Sequence, residues 1–360
     1  MFHMKFILRL SPARVKVTKW PNYSTSVSKE GRKLTQIIYH NSPERPGIVE
    51  LCMNRPQARN ALNATLVEEI LTAVEAIRGD EEVRCVLLRS LVKDVFCAGA
   101  DLKHRLTLNE DQIRSFVSTL RYMTCQLESI PVPVLAVLDG SAYGGGLEMA
   151  LACDIRVAAS NVRMGLVETK LAIIPGAGGT QRLPRIVGIP LAKELIYTGR
   201  LVDSTEAKSI GLVNTLTPQN PNQNAAYLAS LRIAEDIAHN GPIAVRMAKR
   251  AIDGPGRGTQ YRDGQSTDSP VWDGQGRDTQ FRESQGRDIK GFDWQGKDTK
   301  GGERKGTENQ DGHTQNREFQ GRYSGMEWEG ICYDRVIRTQ DRVEGLKSFL
   351  GKYKPVYKGV

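Results

Sequence analysis

From Leu34 onward the hydrophobic positions alternate between two rhythms. A β-rich run at 47–54 (GIVELCMN) is followed by Leu62, Leu66, Ile70, Val74 and Ile77, which recur every three or four residues until Gly79. That order predicts a strand and then an amphipathic helix. A second apolar run at 83–89 leads through FCAGAD into a polar-started helix expected at about 109–129, and a third strand is expected at 132–138. A glycine-rich turn then opens the apolar stretch GGGLEMALAC, and 154–159 reads as another strand. Repeated strands and helices with short connections imply an α/β fold layered around at least one mostly parallel sheet. Residues 221–252 read as two helices without strands, a helical cap, and a helical texture resumes at 326–350 with Ile331, Val336, Val343, Leu346 and Phe349 for packing.

Between these parts the pattern stops. Residues 34–253 hold 105 apolar residues in 220 positions, about 48%, whereas 254–325 hold 9 in 72, about 12%. Such a tract cannot bury enough apolar area to offset the ~1–2 kcal/mol per residue that backbone ordering costs, and is expected to be disordered. The motif Gln-Gly-Arg/Lys-Asp recurs there at 275, 285 and 295, but the repeats lack the apolar residues a solenoid would stack. A low-complexity insert at 254–323 is expected, separating a core at 34–253 from a C-terminal helical segment at 324–360.

The net charge of +9 looks like a nucleic-acid signal until it is divided. Lys5, Arg9, Arg14, Lys16, Lys19 and Lys29 give the first 29 residues +6 with no acid, leaving +3 for the rest. A basic, acid-free start with interleaved hydrophobics reads as a mitochondrial transit peptide, which implies a matrix location. Its competitors are a cytosolic tail and a secretory signal, the latter weakened by the lack of an uninterrupted apolar core in 1–10. The six cysteines show no CxxC pair or zinc-ligating spacing and read as buried hydrophobes in a reducing compartment. No apolar stretch reaches the ~18 residues of a membrane span.

Two glycine loops carry the candidate chemistry. In FCAGADL (96–102) and DGSAYGGGLE (139–148) small residues end a strand, and in the second a helix starts at the glycines. Converging loops of this kind offer backbone N–H groups to one developing negative oxygen, though glycines also serve turns and close packing. Glu148 and Glu168 stand beside apolar residues, where desolvation can tune a carboxyl for proton transfer; a lone glutamate at a helix start is more often a dipole-compensating cap. Two such carboxyls around one water could add it across an activated double bond. Neither a GxGxxG fingerprint after a strand nor a P-loop is present.

FCAGADL, DGSAYGGGLEMALACDIRVAAS and MGLVETKLAIIPGAGGTQRLPR together resemble the enoyl-CoA hydratase (crotonase) superfamily over about 34–253 and 324–360, and are especially similar to its methylglutaconyl-CoA hydratase branch. The resemblance implies a spiral of ββα units with a helical C-terminal trimerisation region, assembled as a homotrimer or homohexamer. It implies Glu148 and Glu168 as the catalytic pair, and Ala100 and Gly145 as oxyanion-hole donors. Arg59, Ala61, Ala98, Asp101, Leu102, Lys103 and Gly144 match positions around CoA and substrate. It further implies hydration of an acyl-CoA thioester without metal or other cofactor, CoA being part of the substrate. The expected substrate is 3-methylglutaconyl-CoA, in leucine degradation, with a short-chain enoyl-CoA of β-oxidation as the alternative. An RNA-binding member is a further alternative, because that branch is linked to AU-rich RNA through a basic helix face. Here the corresponding cations are Lys103, His104, Arg105, Arg114 and Arg121, offset by Glu110, Asp111 and Glu128, a thin stripe for phosphate-driven binding.

Overall fold

The structure, a computed structural model, describes residues 33–40, 42–253 and 325–358. The leader expected at 1–29 and the insert expected at 254–323 lie outside the described residues. Ten strands are described: β1 (Thr35–His40), β2 (Ile48–Met53), β3 (Cys85–Ser90), β4 (Val95–Cys97), β5 (Val134–Leu138), β6 (Ser141–Tyr143), β7 (Ile155–Ala159), β8 (Arg163–Gly165), β9 (Val202–Asp203) and β10 (Thr215–Thr217). They alternate with helices α1 (Ala64–Arg78), α2 (Leu102–Arg105), α3 (Glu110–Glu128), α4 (Gly145–Leu151), α5 (Gly179–Val187), α6 (Ile189–Thr198), α7 (Ser204–Ser209), α8 (Ala225–His239), α9 (Pro242–Ile252), α10 (Gly325–Ile337) and α11 (Gln340–Gly351).

The strands sort into two sheets. A six-stranded sheet has the order β1-β2-β3-β5-β7-β10, and a four-stranded sheet the order β4-β6-β8-β9. Only the edges β1 and β9 run antiparallel to their neighbours. Each unit enters the large sheet, crosses into the small one and returns through a helix, as in β3-β4-α3 and β5-β6-α4. Every residue of β2 and β5 is buried, as parallel strands covered on both faces require.

The helices begin where short polar side chains accept first-turn N–H groups. Asn63 accepts from Leu66 N–H at 3.0 Å, and Asn109 with Gln112 forms a reciprocal capping box. Leu62, which the periodicity assigns to α1, instead pairs with Ala100 in an isolated parallel bridge, because the Asn63 cap starts the helix after it. The two strandless helices expected at 221–252 are present as α8 and α9, and α8 lies on the large sheet, touching β2, β3, β5, β7 and β10. Tyr227 fixes it there by donating its hydroxyl to Glu50 Oε1 at 2.6 Å, and Asp139 accepts the Ala226 and Tyr227 N–H groups. The C-terminal α10 docks on α3 through Ile113, Val117, Tyr333 and Ile337.

Candidate active site

Strands β4, β6 and β8 are parallel neighbours, so their C-terminal ends and the loops that follow emerge on one side. The first loop is tied down by Leu62, whose N–H donates to Gly99 O at 2.7 Å and whose carbonyl accepts Asp101 N–H at 2.9 Å. Extended backbone alternates its donors, so the Ala100 N–H points the opposite way. There it meets the start of α4: a Cβ built on Gly145 would lie 3.8 Å from Ala100 N. Gly145 is the first residue of α4, and a first-turn N–H has no intrahelical acceptor. The Ala100 backbone and the opening turn of α4 thus lie side by side at the mouth of the same cavity.

Two glycines at the junction of β6 and α4 are required by space. Gly144 has φ +51°, and a Cβ there would stand 2.9 Å from Glu168 Oε1. A Cβ on Gly146 would come within 2.4 Å of the Cys97 carbonyl, so only glycine lets α4 approach β4 this closely.

Glu148 points from α4 and Glu168 from the 3-10 turn Glu168–Leu171; they are 3% and 8% exposed. Glu148 Oε1 accepts the Ala177 and Gly179 N–H groups, both at 2.8 Å. Burial, with the Glu329 charge adding to it, pushes the Glu148 carboxyl up to about 7. Burial and the neighbouring Glu148 charge push Glu168 well above the ordinary carboxylate range, and its Oε2 is buried without a hydrogen-bond partner. The chain therefore holds one carboxyl anchored as an acceptor and one favoured in its protonated form. Among the described residues, no group of three or more His, Cys, Asp or Glu side chains is arranged to hold a metal ion.

The sequence-derived site residues divide into two groups. Ala98, Ala100, Leu102, Gly144, Gly145, Glu148 and Glu168 line one cavity of about 110 Å³. Arg59, Ala61, Asp101 and Lys103 do not line it. The Arg59 carbonyl accepts Ala98 N–H, and the Ala61 carbonyl accepts from Arg55. Asp101 pairs with Arg55 at 2.8 Å and caps α2, while Lys103 is exposed. The basic stripe is corrected as well. Arg105 and Arg121 are buried, and Arg114 is paired with Glu110, Asp111 and Asp334, because this face of α2 and α3 receives the C-terminal helix.

Three contributions escaped the sequence reading. Asn60, fully buried at φ +54°, donates to Ser90 Oγ and the Phe96 carbonyl and accepts Arg55 N–H, tying the 55–60 turn to the end of β3 and to β4. Glu329 on α10 accepts the Gly178 and Thr180 N–H groups and pairs with Arg121 at 3.4 Å. Arg105 and Tyr333 meet at the cavity wall. Asn60 sits in the quoted RPQARNALN segment, where its side chain was the available signal; Glu329 lies 181 positions beyond Glu148, and only tertiary packing unites them.

The model of the family described as enoyl-CoA hydratase/isomerase matches residues 44–289. The chain belongs to this family, shares its crotonase fold and is a hydro-lyase. It is similar to the mitochondrial enoyl-CoA hydratase domain-containing protein 2 of Mus musculus, at 42% identity over 313 residues, covering 87% of this chain and 85% of the relative. It is 39% identical over 337 residues to the mitochondrial methylglutaconyl-CoA hydratase of the same organism, covering 94% and 87% of the two chains. Among solved structures, an enoyl-CoA hydratase from Bacillus anthracis superposes with a TM-score of 0.58 at 37% identity, covering 91% of this chain and all of the other.

Proposed function

We propose that the chain catalyses the reversible syn hydration of 3-methylglutaconyl-CoA to 3-hydroxy-3-methylglutaryl-CoA, the hydration step of leucine degradation, in the mitochondrial matrix. The observation that carries the reading is the pairing of two unlike buried carboxyls in one cavity whose lining also includes the Ala100 and Gly145 backbone. The thioester oxygen accepts the Ala100 and Gly145 N–H groups, which draws electron density from C3. Ionised Glu148 takes a proton from water as the water oxygen bonds to C3, and the displaced π electrons collect on the enolate oxygen. Protonated Glu168 then gives its proton to C2, so H and OH are added to one face of the double bond. Proton transfer from Glu148 to Glu168 through solvent restores the starting state. The addition is redox-neutral, so no redox cofactor is needed, and in this reading the backbone donors and the two carboxyls carry the chemistry without a metal.

Both carboxyls approach the Gly144–145 stretch, which supports delivery to a single face: the Cβ positions there lie 2.9 Å from Glu168 and 3.9 Å from Glu148. We assign the CoA moiety to the side where exposed Arg59 and Lys103 flank the 98–102 loop. Comparison of kcat/KM for 3-methylglutaconyl-CoA and crotonyl-CoA tests the substrate. The reading expects the branched substrate to be favoured, and a preference for the short unbranched one would move the enzyme to β-oxidation.

A further inference from the structure

The acyl cavity has one basic side chain in its lining, Arg105, and that cation has no carboxylate of its own. Arg105 is 4% exposed, and among the described residues no Asp or Glu oxygen lies within salt-bridge distance of it. Its Nη2 donates to the Tyr333 hydroxyl, whereas its Nε is buried without a partner. A buried guanidinium is stable only when its donors and charge are met. Every other arginine with comparable burial here meets one or the other: Arg121 has Glu329, Arg182 has Glu128, and Arg156 donates to the Leu212 and Cys153 carbonyls.

The surroundings sharpen the contrast. Leu102, Val117, Leu120, Ile174 and Phe349 make the neighbouring wall apolar. Burial and the nearby charge of Arg342 hold Arg105 down at about 10, with Glu168 as the opposing influence. Arg342, on α11, also has a buried Nε without a hydrogen-bond partner. The groups that face Arg105 are therefore Glu168 from the 3-10 turn, Tyr333 from α10 and Arg342 from α11. Glu168 is poorly suited as the counter-ion, because its own environment favours the protonated form.

We infer that Arg105, steadied by Tyr333, is the receptor for a second carboxylate on the acyl chain, so that the site selects acyl-CoA thioesters of dicarboxylic acids over neutral ones. This rests on the hydratase reading for the location of the acyl chain and for its dicarboxylic substrate, and adds the residue that recognises the second carboxylate. The ligand carboxylate would supply the missing acceptor to Nε and the missing countercharge, and the Tyr333 hydroxyl, already accepting from Arg105, keeps its own proton to donate. A neutral chain would leave the guanidinium uncompensated, so selectivity arises from what the wrong ligand fails to satisfy.

The test is binding of two saturated thioesters, glutaryl-CoA and butyryl-CoA, measured by titration calorimetry on the full chain. They differ by a terminal carboxylate, and neither requires turnover. Wild type is expected to bind glutaryl-CoA about 10- to 100-fold tighter, the range of a charged hydrogen-bonded contact. The preference is expected to collapse in Arg105→Gln and to persist in weakened form in Arg105→Lys. Equal affinities in wild type, or an unchanged preference in Arg105→Gln, would overturn the inference. Should Arg105→Gln fail to fold, the wild-type ratio together with Arg105→Lys decides. A retained glutaryl preference with no hydration of glutaconyl-CoA or crotonyl-CoA would overturn the hydratase reading alone.

Discussion

Glu148 and Glu329 share one short stretch of backbone, taking alternate N–H groups from it: Ala177 and Gly179 donate to Glu148, and Gly178 and Thr180 donate to Glu329. The loop before α5 is thereby clamped between a cavity carboxyl and a carboxyl from the far C-terminal helix. Glu329 acts as a positioning residue, and its charge helps hold the Glu148 carboxyl up near 7. Glu329→Gln keeps an acceptor but removes the charge. The acid limb of the kcat/KM profile is expected to move to lower pH, and kcat to fall about 10- to 100-fold as the loop loosens. Denaturant unfolding should show a loss of about 3–5 kcal/mol, because Arg121 is left buried without its partner. An unmoved acid limb would contradict the electrostatic part.

The pH dependence follows from the same pair. In the proposed mechanism Glu148 works ionised and Glu168 protonated, so kcat/KM is expected to rise through about 7 as Glu148 ionises and to fall as Glu168 ionises. For stability the sign is opposite to that of an ion-paired carboxylate. Both groups bind protons more tightly folded than unfolded, so the stabilisation is present at low pH and is lost as pH rises, for Glu148 through about 7. Glu148→Gln can still accept both loop N–H groups without a charge. Its Tm gain over wild type should be larger at pH 8 than at pH 5; an equal gain at both would contradict the assignment.

Gly144→Ala places a methyl group 2.9 Å from Glu168 Oε1 at a φ of +51°. A loss of about 1–3 kcal/mol in unfolding free energy is expected from backbone strain. Steady-state kinetics should show a lower kcat, because the displaced carboxyl is the proton donor of the proposed mechanism. Wild-type kcat in this variant would argue against that role for Glu168.

Asn60→Ala removes the three side-chain hydrogen bonds that tie the 55–60 turn to β3 and β4, and it puts alanine at φ +54°. About 3 kcal/mol of stability should be lost. Asn60→Gly loses the same bonds without the conformational penalty and should lie between alanine and wild type in denaturant midpoint.

Much of this architecture was legible in the chain because it depends on local pattern. The α1 stripe, the largely apolar β2, the wholly apolar β5 and the two glycine loops announce strands, helices and a site at strand ends. Cavity residues from Ala98 to Glu168 come from contiguous segments, so their motifs stand out. What stayed hidden depends on long-range contact. Arg105 and Arg121 read as part of a basic stripe, yet α10 arrives from beyond position 324 to bury them with Tyr333 and Glu329. Leu62 fits the helical period but is held in a bridge, and α8 reads as a cap but carries Tyr227 down to Glu50 on the large sheet. Residues 179–209 hold α5, α6 and α7, whose short lengths and interrupting Gly188 and Gly199 leave little periodicity to detect.

The central claim is that Glu148 and Glu168 divide base and acid work in hydrating an enoyl thioester. Its most direct test is loss of the conjugated thioester absorbance of 3-methylglutaconyl-CoA, followed with wild type, Glu148→Gln and Glu168→Gln. Wild type should turn over, and each variant should lose about 10²–10⁴-fold in kcat while remaining folded. No turnover of any short enoyl-CoA by wild type, or variants indistinguishable from it, would contradict the account.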